Sequence, residues 1–168
     1  IAASSFYENG MYSIDGKSLD TEALFSFYKE LHVRFPTLQM VEDPFFESDF
    51  DAYAQYRKEH PGILVIGDDL TTTNVKSLEQ AVLGNAIGGI IIKPNQIGTL
   101  TDTLATMTLA YLHNVSCIVS HRSGETEDDF IADLAFGTKS FGLKAGAPLA
   151  KEREAKYQRL IHIQKTNH

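Results

Sequence analysis

The chain has 168 residues, 43% hydrophobic and 22% charged, with a net charge of −7, which is ordinary for one globular domain or for part of a larger one. Its acidity argues against nucleic acid as the main partner, because a phosphate backbone needs a basic face. No apolar run is long enough to span a bilayer and no secretory signal opens the sequence, so the expectation is a cytoplasmic protein without membrane contact.

Residues 1–16 are short and mixed, and Asn9-Gly10 and Asp15-Gly16 are turn signals, which predicts an irregular hairpin. Asp20 caps a helix running to about Phe35, with Leu24, Phe27, Leu31 and Phe35 on one face, and Pro36 stops it. A first strand, Leu38 to Val41, precedes a helix from about Asp49 to His60 that sends Phe50, Tyr53 and Tyr56 toward a sheet. A second strand, Ile63 to Ile66, precedes a helix capped by Asn74, with Val75, Leu78 and Val82 inward and Gly84 closing it. Ile90 to Ile92 form a third strand, and Thr99 with Asp102 caps a helix from Leu100 to Asn114. After a fourth strand, Cys117 to Val119, a polar loop from Ser120 to Glu127 leads into a helix from Asp128 to Phe136, with Phe130, Ile131 and Leu134 inward. A weaker strand, Phe141 to Leu143, precedes a charged amphipathic helix from about Lys151 to Gln164. Cys117 reads as a reduced core thiol, and His32, His60, His113, His162 and His168 read as surface residues.

One polar residue ends each apolar run: Glu42, Asp68, Lys93, His121 and Lys144, at intervals of 26, 25, 28 and 23 residues. Each interval fits a strand, a helix and two loops, and such repeated units build parallel sheets. In a closed parallel barrel, side chains at the C-terminal strand ends share one mouth. Five strands are too few for an eight-stranded barrel. An open doubly wound sheet needs no more than five, but it would spread these residues along an edge, and no Gly-rich nucleotide loop follows the first strand. The expected fold is therefore α/β, the C-terminal part of a (β/α)₈ barrel, with residues 1–168 forming one partial barrel domain whose first strands are absent.

Two carboxylates, two lysines and a histidine in one cavity suggest a bound cation, an anionic substrate and proton transfer by an amine. Glu42-Asp43-Pro44 and Gly67-Asp68-Asp69-Leu70 are each turn sequences or, taken together, oxygen ligands for a hard cation such as Mg²⁺. Lys93 ends the most apolar strand; it either snorkels to solvent or acts as a base. Arg122 and Ser123 suit a phosphate, through a planar fork and a hydroxyl, or belong to a solvated loop. Ser120 and His121 are neighbours on a strand and point to opposite faces, so they do not form a nucleophile–base pair. Glu125, Glu127, Asp128 and Asp129 read as acids at a helix N-terminus. Lys144 is suited to neutralising a substrate carboxylate.

These motifs resemble the enolase family. The matching stretches are Val41 to Pro44, Gly67 to Thr71 with Thr73-Asn74, Lys93 to Thr99, Ser120 to Asp128 (SHRSGETED) with Ile131 to Leu134, Lys144 with Gly146, and Ala155-Lys156-Tyr157. The resemblance implies a Mg²⁺-dependent lyase of glycolysis that interconverts 2-phosphoglycerate and phosphoenolpyruvate. It implies Glu42 and Asp68 as metal ligands, Lys93 as the base that takes the C2 proton and His121 as a catalytic pocket residue. Ser120, Arg122, Ser123 and Lys144 complete the implied substrate-binding set, with Arg122 and Ser123 on the phosphate and Lys144 on the carboxylate. Enolase-superfamily sites as a class use a lysine or histidine base with one or two Mg²⁺ ions.

By the same resemblance the family's first metal-binding Asp would stand immediately before Ile1. An N-terminal domain, the first barrel strands, the mobile loop of a second Mg²⁺ site and the Glu that protonates the leaving hydroxide would lie outside these residues. The complete protein is expected to form a homodimer or larger, and this segment alone is expected to be inactive. Ala145 and Thr72 depart from the family's usual Thr and Val. Two other readings stand beside this one. One is a superfamily lyase or racemase acting on a carboxylate without phosphate, against which Arg122-Ser123 speaks. The other is a truncated, non-catalytic interaction protein.

Overall fold

The computed structural model describes residues 2–166, so Ile1 and the expected surface residue His168 lie outside the described residues. After one turn of 3₁₀ helix (Ala3–Phe6), the chain forms an antiparallel meander of β1 (Tyr7–Glu8), β2 (Met11–Ile14) and β3 (Lys17–Leu19). The expected hairpin has gained a strand because both turn pairs reverse the chain. Asn9, Gly10, Asp15 and Gly16 all have positive φ, a region these residue types enter at least cost.

Helices and strands then alternate: α1 (Thr21–Arg34), β4 (Met40–Glu42), α2 (Phe50–Glu59), β5 (Leu64–Gly67), α3 (Val75–Leu83) and β6 (Gly89–Ile92). They continue as α4 (Pro94–Ile97), α5 (Leu100–Leu112), β7 (Ser116–Ser120), α6 (Phe130–Gly137), β8 (Gly142–Lys144) and α7 (Lys151–Thr166). Strands β4 to β8 form one parallel sheet in sequence order, curled into half a barrel. None of the described helices is long and apolar enough to cross a membrane.

Period-two alternation sorts each strand between two layers. Val41, Val65, Ile90, Ile92, Cys117 and Val119 face the helices in the main core. Ile66, Ile91 and Ile118 form a separate cluster on the concave side, where they line a cleft of about 540 Å³ with Glu42 and Lys144 at its rim. Burial pushes the Cys117 thiol up to about 11, so it stays a neutral core group.

The helix starts follow their caps. Asp20 accepts from the Ala23 N–H at 2.8 Å, Asp49 from Ala52 at 3.0 Å, Asn74 from Lys76 at 2.9 Å and Thr99 from Asp102 at 3.1 Å. Each such cap is worth about 1 kcal/mol. Gly84 closes α3 as expected, but with a helical φ of −76°, and the left-handed turn falls on Asn85 at φ 55°. The Ala86 N–H then reaches back to the Ala81 carbonyl at 2.8 Å. Asn114 and Lys139 end α5 and α6 in the same way, with Val115 bonding Ala110 and Ser140 bonding Ala135.

Two helix faces are turned from those expected. On α1 the buried residues are Leu24, Phe25 and Tyr28, while Phe27 and Leu31 are half-buried and Phe35 is exposed beyond the last turn. Phe25 packs on Phe45 with ring centroids 4.6 Å apart, and the Tyr28 hydroxyl donates to the Pro44 carbonyl at 2.8 Å. On α6, Ile131, Ala132, Leu134 and Ala135 are buried and Phe130 is exposed, because the helix begins at Phe130, two residues later than expected. His113 and His162 are exposed, but His32 and His60 are half-buried. They join the aromatic cluster between α1 and α2, with His32 Nε2 2.6 Å from the Tyr56 hydroxyl and the two imidazoles 4.5 Å apart.

Candidate active site at the C-terminal strand ends

Glu42 and Lys144 close β4 and β8, while Asp68, Lys93 and His121 directly follow β5, β6 and β7. Because all five strands run parallel, these residues share one rim. Lys144 Nζ donates to both Glu42 oxygens, at 2.6 and 2.8 Å. In a flat sheet, strands four places apart would be separated by ~19 Å. The pair therefore spans a mouth, which answers the geometric question that spacing alone raised: the rim curls and does not spread.

A second ion pair lies beside it. Lys93 Nζ donates to Asp68 Oδ2 at 2.6 Å, with the side chains only 14% and 10% exposed. The loop after β5 is fixed from both flanks. On one side Asp43, itself left-handed at φ 44°, accepts from the Asp68 N–H at 2.9 Å, the Asp69 N–H at 2.8 Å and the Tyr53 hydroxyl at 3.0 Å. On the other, the Thr73 hydroxyl accepts from the Lys93 N–H at 2.9 Å. Thr72 and Thr73 both hold positive φ, which β-branched residues adopt only under strain, of order 1–3 kcal/mol each.

Three acids, Asp43, Asp68 and Asp69, bring carboxylate oxygens within 4.8 Å of one another. Their grouping differs from the Glu42–Asp68 pair expected from the sequence, and hydrogen bonding decides between them. Both Asp43 oxygens are taken by N–H and O–H donors, and burial raises its carboxyl above the ordinary range. Asp43 is a fastener of the β5 loop. Asp68 Oδ1, in contrast, is buried with no hydrogen-bond partner. An orphaned carboxylate oxygen at the rim is the acceptor that a hard, oxygen-seeking cation satisfies, so the residues fit such an ion through Asp68.

The loop after β7 carries the remaining candidates. The His121 N–H donates to the Lys144 carbonyl at 2.9 Å, which ties β7 to β8 past their last paired residues. Burial, then Arg153, lowers the His121 pKa, so its imidazole is neutral at pH 7. The Ser120 hydroxyl, buried, donates to the His121 carbonyl at 3.0 Å. Arg122 Nη1 approaches Asn95 Oδ1 at 3.5 Å, and Ser123 is exposed at the loop tip. Glu125 does not serve a helix N-terminus as expected: its Oε1 accepts from the Arg122 N–H at 2.9 Å and its Oε2 lies 3.3 Å from Lys156 Nζ. The α6 start is served by Asp128, which accepts from the Phe130 N–H at 3.0 Å.

Asp43 and Asn95 enter the sequence reading only as members of the motifs around Glu42 and Lys93, and Lys156 only within a matching stretch. Lys156 lies on α7, read as a charged amphipathic helix, and it is fully buried. The Lys156 partners are 30 residues away, beyond any local pattern.

Residues 1–167 match the family model described as the enolase C-terminal TIM barrel domain. A protein named enolase from Metallosphaera sedula is 46% identical over 165 residues, covering 97% of this chain and 39% of that protein. The enolase of Sulfolobus acidocaldarius is 46% identical over 163 residues, with the same coverage of both. That of Methanococcus maripaludis is 42% identical over 165 residues, covering 97% of this chain and 38% of its own length. This chain thus spans about 39% of the curated relatives it matches.

Proposed function

The chain belongs to the enolase family, as a segment of the C-terminal barrel domain, and we propose that its full-length protein interconverts 2-phosphoglycerate and phosphoenolpyruvate, with Lys93 as base and Mg²⁺ as cofactor. The observation that carries this reading is the pair of ion pairs facing one mouth, Lys93 with Asp68 and Lys144 with Glu42. They set two ammonium groups and two carboxylates around the space where an anionic substrate and a cation would meet. A non-phosphorylated substrate would leave the Arg122-Ser123 loop without a ligand.

In this reading Lys93 Nζ, as a neutral amine after giving up its own proton, takes the proton from C2 of 2-phosphoglycerate and becomes an ammonium. The C–H electron pair passes into the carboxylate, returns to form the C2–C3 double bond, and hydroxide leaves C3. The proton for that hydroxide comes from a group outside this segment. Lys144 meets the substrate carboxylate, Arg122 and Ser123 hold the phosphate by charge-assisted hydrogen bonds, and Ser120 and neutral His121 line the pocket between them. Glu42 and Asp68 would hold Mg²⁺, which when bound supplies positive charge against the negative charge that builds on the carboxylate.

Deuterium exchange at C2 isolates the base from the rest of the reaction. In the full-length protein, Lys93→Ala should abolish exchange of the C2 proton with solvent and cut kcat by at least ~100-fold, the lower range for a positioned general base. Exchange retained by this variant would move the base elsewhere.

A further inference from the structure

Lys156 is a fully buried cation on α7, where it and Ile163 are the two buried residues of a largely charged helix. Burying an ammonium is expensive unless it is paired, and an apolar residue of similar volume often serves stability as well or better. Its Nζ donates to the Thr126 carbonyl at 2.6 Å and lies 3.3 Å from Glu125 Oε2. The other Glu125 oxygen accepts from the Arg122 N–H at 2.9 Å. One carboxylate thus joins a buried amine to the backbone of the residue assigned to the phosphate. Residues 121–129 contain no helix or strand, so their shape depends on such ties.

The helix that carries Lys156 is itself anchored on both sides. Tyr157 donates to the Gly146 carbonyl after β8. Arg159 holds Asp133 of α6 by two parallel hydrogen bonds, at 2.8 and 2.7 Å. α7 therefore grips the loops after β7 and β8 through Lys156 and Tyr157, and α6 through Arg159.

We infer that Lys156 is a positioning residue for phosphate recognition: through Glu125 it sets the backbone of Arg122 so that the guanidinium and Ser123 meet a phosphoryl group. This rests on the reading of the Arg122-Ser123 loop given above. Lys156 touches no substrate atom itself.

The test uses the full-length protein with Lys156→Met, Lys156→Arg, Glu125→Gln and the Lys156→Met/Glu125→Gln double variant. Expected is a KM for 2-phosphoglycerate raised by at least about tenfold in Lys156→Met and Glu125→Gln, the scale of one lost charge-assisted hydrogen bond. Inorganic phosphate binding should weaken in proportion, Mg²⁺ binding by calorimetry should not change, and Lys156→Arg should recover part of the loss. The double variant should be no worse than the worse single one. A lowered Tm with unchanged KM and phosphate affinity would make Lys156 purely structural, and fully additive losses would break the link through Glu125. Glu125→Gln, on a partly exposed side chain, keeps the inference testable if Lys156→Met does not fold. If the unmodified protein binds no phosphate, the underlying reading fails, and the inference with it.

Discussion

At the scale of single residues, the mouth is built from groups that neutralise one another until a ligand intervenes. Removing one member of a mostly buried pair such as Lys93–Asp68 strands the other, and typical losses are 3–5 kcal/mol. Lys93→Ala is therefore read through C2 exchange, and binding roles are dissected with residues whose removal strands no charge. Arg122 is one: among the described residues its guanidinium bonds only Asn95, at 3.5 Å. In the full-length protein, Arg122→Ala should weaken 2-phosphoglycerate binding at least about tenfold, through the lost charged fork, and leave a non-phosphorylated analogue nearly unaffected. Equal losses for both ligands in a binding titration would make Arg122 structural. The strand-end positions of Glu42, Asp68, Lys93, His121 and Lys144 were legible in the sequence because each ends an apolar run, a purely local signal. Asp43 and Lys156 were not, because what defines them is a partner 25 or 30 residues away.

At the scale of elements, the caps Asp20, Asn74 and Thr99 were read correctly since each bonds within three residues of itself. Helix faces were harder. The α1 face turned toward Phe25 and Tyr28 because the rings of Phe45 and Tyr56 wait there, and a neighbouring helix leaves no mark on α1's own periodicity. His32 and His60 fell into the same gap. Burial lowers both of their pKa values; each is held down further by a neighbouring cation, His60 for His32 and Lys29 for His60, against an opposing pull from Glu59 on His60. A histidine depressed in the folded state binds fewer protons there than when unfolded. Its stability contribution is present above the unfolded value, ~6.5, and is lost as pH falls through the folded value. Thermal unfolding should thus show Tm falling from pH 7 toward pH 5, and a His32→Gln/His60→Gln double variant should flatten that slope. An unchanged slope would assign the acid sensitivity to other groups.

At the scale of the whole molecule, the sheet is half of a closed architecture. Among the described residues, β4 and β8 each have a strand neighbour on one side only, and the cleft lined by Ile66, Ile91 and Ile118 opens between them. Unpaired strand edges beside apolar surface favour association with other chains. A polypeptide of these 168 residues alone should therefore self-associate, form no phosphoenolpyruvate with Mg²⁺, and recover solubility when mixed with the rest of the full-length protein. Sedimentation as a monomer with cooperative unfolding would defeat the first expectation, and turnover above background the second. The barrel class was legible from the even spacing of strand ends. The degree of curl was not, because curvature is set by how five strands twist together and by no one of them.

The ion pair across that curl also bears on the order of folding. Glu42 and Lys144 are 102 residues apart, whereas neighbouring strands align residues as near as Val41 and Val65, or Ile66 and Gly89. Closing the long loop directly costs roughly 1.3 kcal/mol more in chain entropy than closing one of those short ones. Strand-by-strand zipping is the cheaper route, and it delivers Glu42 to Lys144 only after four pairings have formed. The contact should thus be absent from the folding transition state, so its removal by Lys144→Met in the full-length protein should speed unfolding and leave refolding nearly unchanged. A pair that reports on the mouth in the finished barrel would then act, kinetically, as the latch that shuts last.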